Sequence, residues 1–135
     1  MTNKNAKVSL IALVGHCGFD GPHMQSVLSR MFPTVRVERV NDEPTAERIA
    51  ADPSAVLLVN RGLIGAIGYE SDFGSDEGMA LIRHLRDKDA KARLALISDY
   101  ADAQSEADVV GAKGFGKSIV DDREALAEAM QPLLA

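Results

Sequence analysis

The sequence predicts an α/β fold of three layers, in which helices cover both faces of a doubly wound parallel sheet of five strands. Short apolar runs alternate with amphipathic segments along all 135 residues. Three of the runs are almost continuously apolar, which is typical of strands buried on both faces, and two are weaker. Because strict alternation of strands and helices favours parallel pairing, we expect a single domain with three central and two edge strands.

The first strand and helix have the clearest pattern. Residues 8–14 are almost all apolar and predict a buried strand. A helix then begins near Asp20, carries Pro22 in its first turn and stops at Pro33. Its apolar positions recur at helical spacing, at Met24, Val27, Leu28 and Met31.

The second strand alternates apolar and charged residues over positions 34–40, which is typical of a half-buried strand at a sheet edge. Asn41-Asp42-Glu43-Pro44 predicts the start of a second helix, which ends before Pro53. Residues 55–59 are again apolar and predict a buried strand that ends at Asn60-Arg61.

An unusually long loop follows, over residues 61–77. It is rich in glycine and carries the apolar residues Leu63, Ile64, Ile67, Tyr69 and Phe73. Loops of this length in a compact domain are usually functional, so we interpret it as a lid or an interaction arm. A surface insertion folded onto its own side chains is the alternative.

The remaining elements complete the alternation. A third helix has its apolar positions at Met79, Ile82 and Leu85, and residues 94–97 predict a third buried strand that ends at Ser98-Asp99. A weaker helix covers residues 101–110, and residues 114–120 predict a short last strand. Asp121 is expected to cap the final helix, with Glu124 as its capping-box partner.

Charge and composition exclude several classes of function. Fifteen lysine and arginine residues stand against twenty acidic ones, a net charge of −5, which argues against a nucleic-acid or membrane-surface partner. The single cysteine, Cys17, excludes an internal disulfide and favours a reducing compartment. With no apolar run long enough to cross a bilayer, we expect a cytoplasmic protein.

Chemistry in such sheets gathers beyond the carboxyl ends of the strands. Four short segments follow these ends, namely Gly15-His16-Cys17, Asn60-Arg61, Ser98-Asp99 and Lys117-Ser118. The candidate site is therefore expected among these residues.

In this arrangement the chain resembles the receiver domain of two-component response regulators, the flavodoxin-like domain of chemotaxis-type signalling proteins. Residues 78–86 look like the glycine-led third helix of that family. Residues 111–115 look like its Gly-Ala turn into the fifth strand, with Phe115 at the aromatic switch position. The resemblance implies the strand order 2-1-3-4-5 and a role in signal transduction.

The phosphorylation chemistry of that family needs acidic residues that this chain lacks. The resemblance implies an acidic pair for magnesium after the first strand, where Gly15 and His16 stand here. It implies an aspartate as phosphoacceptor at the end of the third strand, where Asn60 stands. A carboxamide has no anionic oxygen to attack phosphorus, so we expect no aspartyl-phosphate at this position.

The other two phosphate-contacting positions are only partly matched. Ser98 stands where the family has a serine or threonine. Counted from Gly111, Lys117 lies one residue before the position of the family's lysine, which Ser118 occupies here. Since one step along a strand reverses the side-chain direction, we treat the reach of Lys117 into the pocket as open. The site as a whole is interpreted as a degenerate phosphorylation pocket.

These observations predict a binding module rather than an enzyme. We expect an atypical receiver without cofactor or metal, which acts by contact with partner proteins or with a second copy of itself. The interaction and switch surface is expected around Phe115, Tyr69 and Phe73. With the acids absent and Arg61 and Lys117 nearby, the pocket is further expected to bind an anion such as phosphate weakly.

The alternative function is a small-molecule-binding α/β protein or small enzyme that uses the same cleft. Its candidate residues are His16, Cys17, Asn60, Arg61 and Ser98, among which no nucleophile and base can be paired from sequence.

Three further patterns carry less weight. Residues 111–118 match the Walker A pattern, but a helix rather than a strand is expected before them, so a strand-entry turn is favoured. A zinc site on His16, Cys17 and His23 lacks an evident fourth ligand. A group of loop acids misses the spacing of calcium loops: Glu70, Asp72, Asp76 and Glu77.

Overall fold

A computed structural model describes residues 7–17, 20–63, 73–75 and 77–135 of the chain. Five strands form one parallel sheet in the order β2-β1-β3-β4-β5. Their bounds are β1 Leu10–Val14, β2 Arg36–Val40, β3 Ala55–Asn60, β4 Arg93–Ile97 and β5 Lys113–Phe115. The predicted fold class, strand order and weak edge strands are confirmed.

Five helices cover the two faces of the sheet: α1 Asp20–Met31, α2 Glu43–Ala50, α3 Gly78–Lys88, α4 Ala101–Val109 and α5 Arg123–Leu134. One buried cluster joins the sheet to α2, α3 and α4, and a second joins its other face to α1 and α5. The central strands β1 and β3 are buried at every position, as continuous apolar runs require. No helix in the described ranges is long and apolar enough to span a membrane.

The start of α2 forms as the sequence predicts. The Asp42 side chain accepts a hydrogen bond from the Thr45 backbone N–H at 2.9 Å, and Pro44 lies in the first turn. An N-cap of this kind satisfies one of the backbone donors that every helix start leaves unpaired.

The last strand is shorter than predicted. It ends at Phe115, and Lys117–Asp121 forms a single 3₁₀ turn instead of continuing the strand to position 120. The physical reason is its neighbour: β4 ends at Ile97, which lies opposite Phe115, so a longer β5 would have no ladder partner. Val120 still reaches the core, from the 3₁₀ turn.

The predicted cap of the final helix is also wrong by one residue. Asp122, not Asp121, caps α5, and its side chain accepts the Ala125 N–H at 3.1 Å. Glu124 is then one position too early to complete a capping box. Asp121 instead pairs with His23 of α1, with Nε2 2.8 Å from Oδ1.

Candidate functional site

Asn60 ends β3 and holds three chain segments together. Its side chain is buried, and Nδ2 donates to the Gly62 carbonyl at 2.6 Å and to the Gly15 carbonyl at 3.5 Å. Oδ1 has no hydrogen-bond partner in the described part of the chain. The carboxamide therefore ties the ends of β1 and β3 to the start of the long loop, using N–H donors that a carboxylate lacks.

The two ends of the long loop meet beside Asn60. Gly62 and Glu77 form an isolated antiparallel bridge, and the Gly78 N–H donates to the Arg61 carbonyl at 2.7 Å. A Cβ on Gly78 would lie 2.1 Å from the Asn60 carbonyl oxygen. Only glycine lets α3 start this close to the end of β3.

Gly15 and His16 directly follow β1. Gly15 has a φ of +74°, and a Cβ there would lie 2.6 Å from Leu63 Cδ2, so the first apolar residue of the loop packs directly over it. His16 is 1% exposed, and its Nε2–H donates to the Leu58 carbonyl at 2.9 Å. Burial lowers the pKa of His16 to about 4, so its imidazole is neutral at pH 7.

Ser98 and Arg61 are both engaged at the start of α4. Ser98 is buried, its Oγ accepts the Tyr100 N–H at 3.1 Å, and its carbonyl accepts from Gln104 Nε2 at 2.7 Å. The Arg61 guanidinium lies 4.6 Å from the centre of the exposed Tyr100 ring. Both residues therefore stabilise the β4–α4 connection.

Lys117 pairs with a carboxylate that the sequence analysis treated only as the start of a helix. Its Nζ lies 2.8 Å from Asp20 Oδ2, and the two side chains are 38% and 34% exposed. The hydrogen bond from Lys117 is the main reason that the pKa of Asp20 lies below its usual value. Asp20 could have been suspected from sequence, because a helix that follows a parallel strand starts at the carboxyl edge of the sheet.

A cavity of about 520 Å³ lies between the start of α1 and the 3₁₀ turn. Its apolar lining comes from Met24 and Val120. Half of its six polar lining residues are acidic: Asp20, Asp99 and Asp121 lie beside Lys117, Ser118 and His23. Asp99 Oδ1 accepts the Ser118 N–H at 3.4 Å. Three carboxylates around one lysine leave a negative balance, which does not favour an anion.

The aromatic residues of the expected interaction surface are mostly inside the molecule. Phe115 is 6% exposed and belongs to the core on the α1 and α5 face, while Phe73 is 8% exposed and belongs to the core on the other face. Phe115 therefore adds little exposed area in this structure, and Phe73 anchors the end of the long loop in the core. Tyr69 lies outside the described residues.

The Walker A match is not a phosphate-binding loop. Residues 111–118 run from the end of α4 through β5 into the 3₁₀ turn, so the strand that should precede such a loop lies inside it. This agrees with the expected strand-entry turn.

The structure does not bring the three imagined zinc ligands together. His16 Nε2 is bonded to a backbone carbonyl, His23 to Asp121, and Cys17 Sγ accepts the Asp20 N–H at 3.2 Å. In the described ranges, the one cluster of three ligand-type side chains is Glu43, Glu47 and His84, which the sequence analysis did not identify. Of the four loop acids, Glu77 is described and lies in the loop bridge.

Comparison with known proteins supports the fold and goes no further. No family model matches the sequence, and no curated protein does. A LuxR-family two-component response regulator from Aurantimonas sp. is 19% identical, with a TM-score of 0.69 over 96% of this chain and 86% of that one. A putative response regulator from Chloroflexus aurantiacus is 14% identical, with a TM-score of 0.70 over 95% and 98%.

A signal receiver domain of a DNA-binding response regulator from Colwellia psychrerythraea is 15% identical, with a TM-score of 0.61 over 90% and 99%. These similarities show that the chain has the fold of response-regulator receiver domains. At such identities they do not carry function from one protein to another.

Proposed function

We propose that this chain is an atypical receiver domain of two-component signal transduction, which is not phosphorylated by the usual route and acts by binding partner proteins. The observation that carries the proposal is Asn60, a buried carboxamide at the end of β3 where the resemblance implies the phosphoacceptor. Its Nδ2 is used to hold Gly62 and Gly15. An amide in this role offers no nucleophilic oxygen to a phosphoryl donor.

The magnesium and phosphoryl contacts of the family also lack their usual groups. Gly15 has no side chain, and His16 is neutral and bonded to the Leu58 carbonyl, so the end of β1 supplies no carboxylate for a hard cation. Lys117, the candidate phosphoryl contact, is paired with Asp20. Asp20 already supplies the negative charge that a phosphoryl group would bring to Lys117.

Binding, rather than catalysis, is the output that these residues support. His16 and Ser98 are each hydrogen-bonded to a backbone group, and these two residues are not paired with each other as base and nucleophile. The partner is a protein of a cytoplasmic signalling pathway or a second copy of the chain. Three exposed side chains are the first to test, namely Arg61 after β3, Tyr100 after β4 and Val109 at the end of α4.

The test is incubation with acetyl phosphate and Mg²⁺, followed by intact mass spectrometry. We expect no phosphoryl adduct on this chain, while a receiver with its acidic residues intact, treated in the same way, acquires one. A phosphoryl adduct on the wild-type chain, mapped to the cleft, would overturn the proposal.

The second candidate function is small-molecule binding in the cavity beside Lys117. The cavity has an apolar lining and a rim with three carboxylates, so we expect its ligand to be cationic rather than the phosphate-like anion suggested by sequence. Native mass spectrometry of the purified chain distinguishes the two functions. A stoichiometric small molecule that Asp99→Asn releases would favour this second function.

A further inference from the structure

Two carboxylates and an imidazole meet between α2 and α3, and none of the three residues lines the cavity beside Lys117. Glu43 and Glu47 are one turn apart on α2 and share a face, and His84 projects towards them from α3. His84 Nε2 lies 2.5 Å from Glu47 Oε2 and 3.7 Å from Glu43 Oε2. One ligand atom from each residue lies within 4.8 Å of the other two.

The second oxygen of each carboxylate is held by a different partner. Glu43 Oε1 accepts the Gly74 N–H at 2.7 Å, and Glu47 Oε1 accepts from Lys88 Nζ at 3.3 Å. Both Oε2 atoms are thereby left to face the imidazole. Outer partners of this kind orient the ligands of metal sites and add to their affinity.

We propose that Glu43, Glu47 and His84 form a binding site for one divalent transition-metal ion of the zinc type. Carboxylate oxygen and imidazole nitrogen are ligands of Zn²⁺, whereas Mg²⁺ and Ca²⁺ are held by oxygen alone.

The distances need only a small adjustment. Around tetrahedral zinc, two ligand atoms lie about 3.4 Å apart. The separation of His84 Nε2 from Glu43 Oε2, 3.7 Å, is already close to this value. The separation of His84 Nε2 from Glu47 Oε2 would lengthen by about 1 Å as the ion comes between them, with the neutral imidazole carrying its proton on Nδ1.

The site has room for a further ligand and lies against the long loop. A cavity of about 200 Å³ borders it, lined by Glu43, Gly74, Ser75, Ala80, Leu81 and His84. Three protein ligands with an open fourth position are typical of zinc sites that bind water or an external group. Since Gly74 and Ser75 belong to the end of the long loop, a bound ion would fasten that end to α2 and α3.

The test is a titration of the 135-residue chain with Zn²⁺ in competition with a chromogenic chelator. We expect one ion per chain and no competition from excess Mg²⁺. His84→Gln and Glu47→Gln should each lower the Zn²⁺ affinity by more than about tenfold. Glu106→Gln, which removes an exposed carboxylate paired with Arg83, is the matched control and should bind like the wild type.

Imidazole ¹⁵N spectra of the wild type provide a second measurement that needs no variant. Zn²⁺ should shift the ring nitrogens of His84 and leave those of His16 and His23 unchanged. The proposal would be overturned if the Zn²⁺-induced shifts were confined to His16 or His23. It would also be overturned if folded His84→Gln bound Zn²⁺ as tightly as the wild type, or if Glu106→Gln lost as much affinity as His84→Gln. The proposal would also be overturned if an excess of the protein took no Zn²⁺ from the chelator.

Discussion

Lys117 Nζ lies 2.8 Å from Asp20 Oδ2 and joins the 3₁₀ turn after β5 to the first residue of α1. The two residues are 97 positions apart in sequence and meet only because both follow carboxyl ends of parallel strands. Under the proposed function, this ion pair replaces the contact between a lysine and a phosphoryl group. It keeps the lysine in place without any modification of the chain.

Asp20→Asn should lower the free energy of unfolding by at most about 1 kcal/mol at pH 7, because the pair is partly exposed. The pKa of Asp20 is lowered in the folded state from 3.8, so its contribution is present above that value and is lost as the pH falls through the folded pKa. Urea unfolding at pH 7 and in acid, well below pH 3.8, compares the two conditions. Asp108→Asn, which removes an exposed carboxylate on α4, is the control. If the difference in unfolding free energy between Asp20→Asn and wild type persisted in acid, this account would be wrong.

His16 should make the protein less stable as the pH falls from neutral towards 4. Burial lowers its pKa from 6.5 to about 4. Between pH 6.5 and 4, His16 therefore binds a proton in the unfolded chain but not in the folded chain. The full effect is about 3 kcal/mol. Denaturant unfolding from pH 7.5 to 4.5 should show a steeper loss for wild type than for His16→Gln. If the unfolding free energies of wild type and His16→Gln fell equally with pH, the prediction would be wrong, whatever the absolute stability of the variant.

Gly78→Ala should be strongly destabilising, by about 3 kcal/mol. The added Cβ would lie 2.1 Å from the Asn60 carbonyl oxygen, and backbone on both sides would have to move. Gly62→Ala, at the neighbouring end of the loop, meets no atom within 4 Å and should change the unfolding free energy by less than about 0.5 kcal/mol. Equal effects of the two substitutions in urea unfolding would show that the close approach is not what requires glycine.

Asn60→Asp should restore the expected acceptor type without restoring phosphorylation. The change removes the Nδ2 donor to Gly62 and buries a charge, and we expect a loss of about 2 kcal/mol or more. Acetyl phosphate with Mg²⁺ should leave the variant unmodified, since no carboxylate stands at Gly15 or His16. Asn41→Asp, at a half-buried position, is the matched control for stability. A stable variant that acquires a phosphoryl group would show that the acceptor alone was missing.

The buried strands could be predicted because burial on both faces gives a continuous apolar run in the sequence, whereas the strand order was implied by the resemblance. Positions 10–14 and 55–60 are buried throughout, and their apolar runs have no other simple explanation. The end of β5 could not be predicted in the same way. Val120 is apolar because it contacts the core from a 3₁₀ turn, and apolar character alone does not separate that geometry from a strand.

The candidate site was predicted where it depends on strand ends and missed where it depends on the packing of helices. Asn60 and Ser98 lie at the carboxyl edge as expected. The i, i+4 spacing of Glu43 and Glu47 does place two acids on one helical face. That His84 lies against them depends on how α2 and α3 are rotated about their axes, and no local pattern records this angle.

The pairing of Gly62 with Glu77 brings the two ends of the long loop to adjacent points. Extending a segment whose ends are already fixed together costs little conformational entropy, about 0.6 kcal/mol for each doubling of its length. A peptide of different length or specificity can therefore be inserted between Leu63 and Phe73, two buried residues of the loop, with the sheet unchanged. This junction is a natural place to graft a new recognition sequence onto the domain.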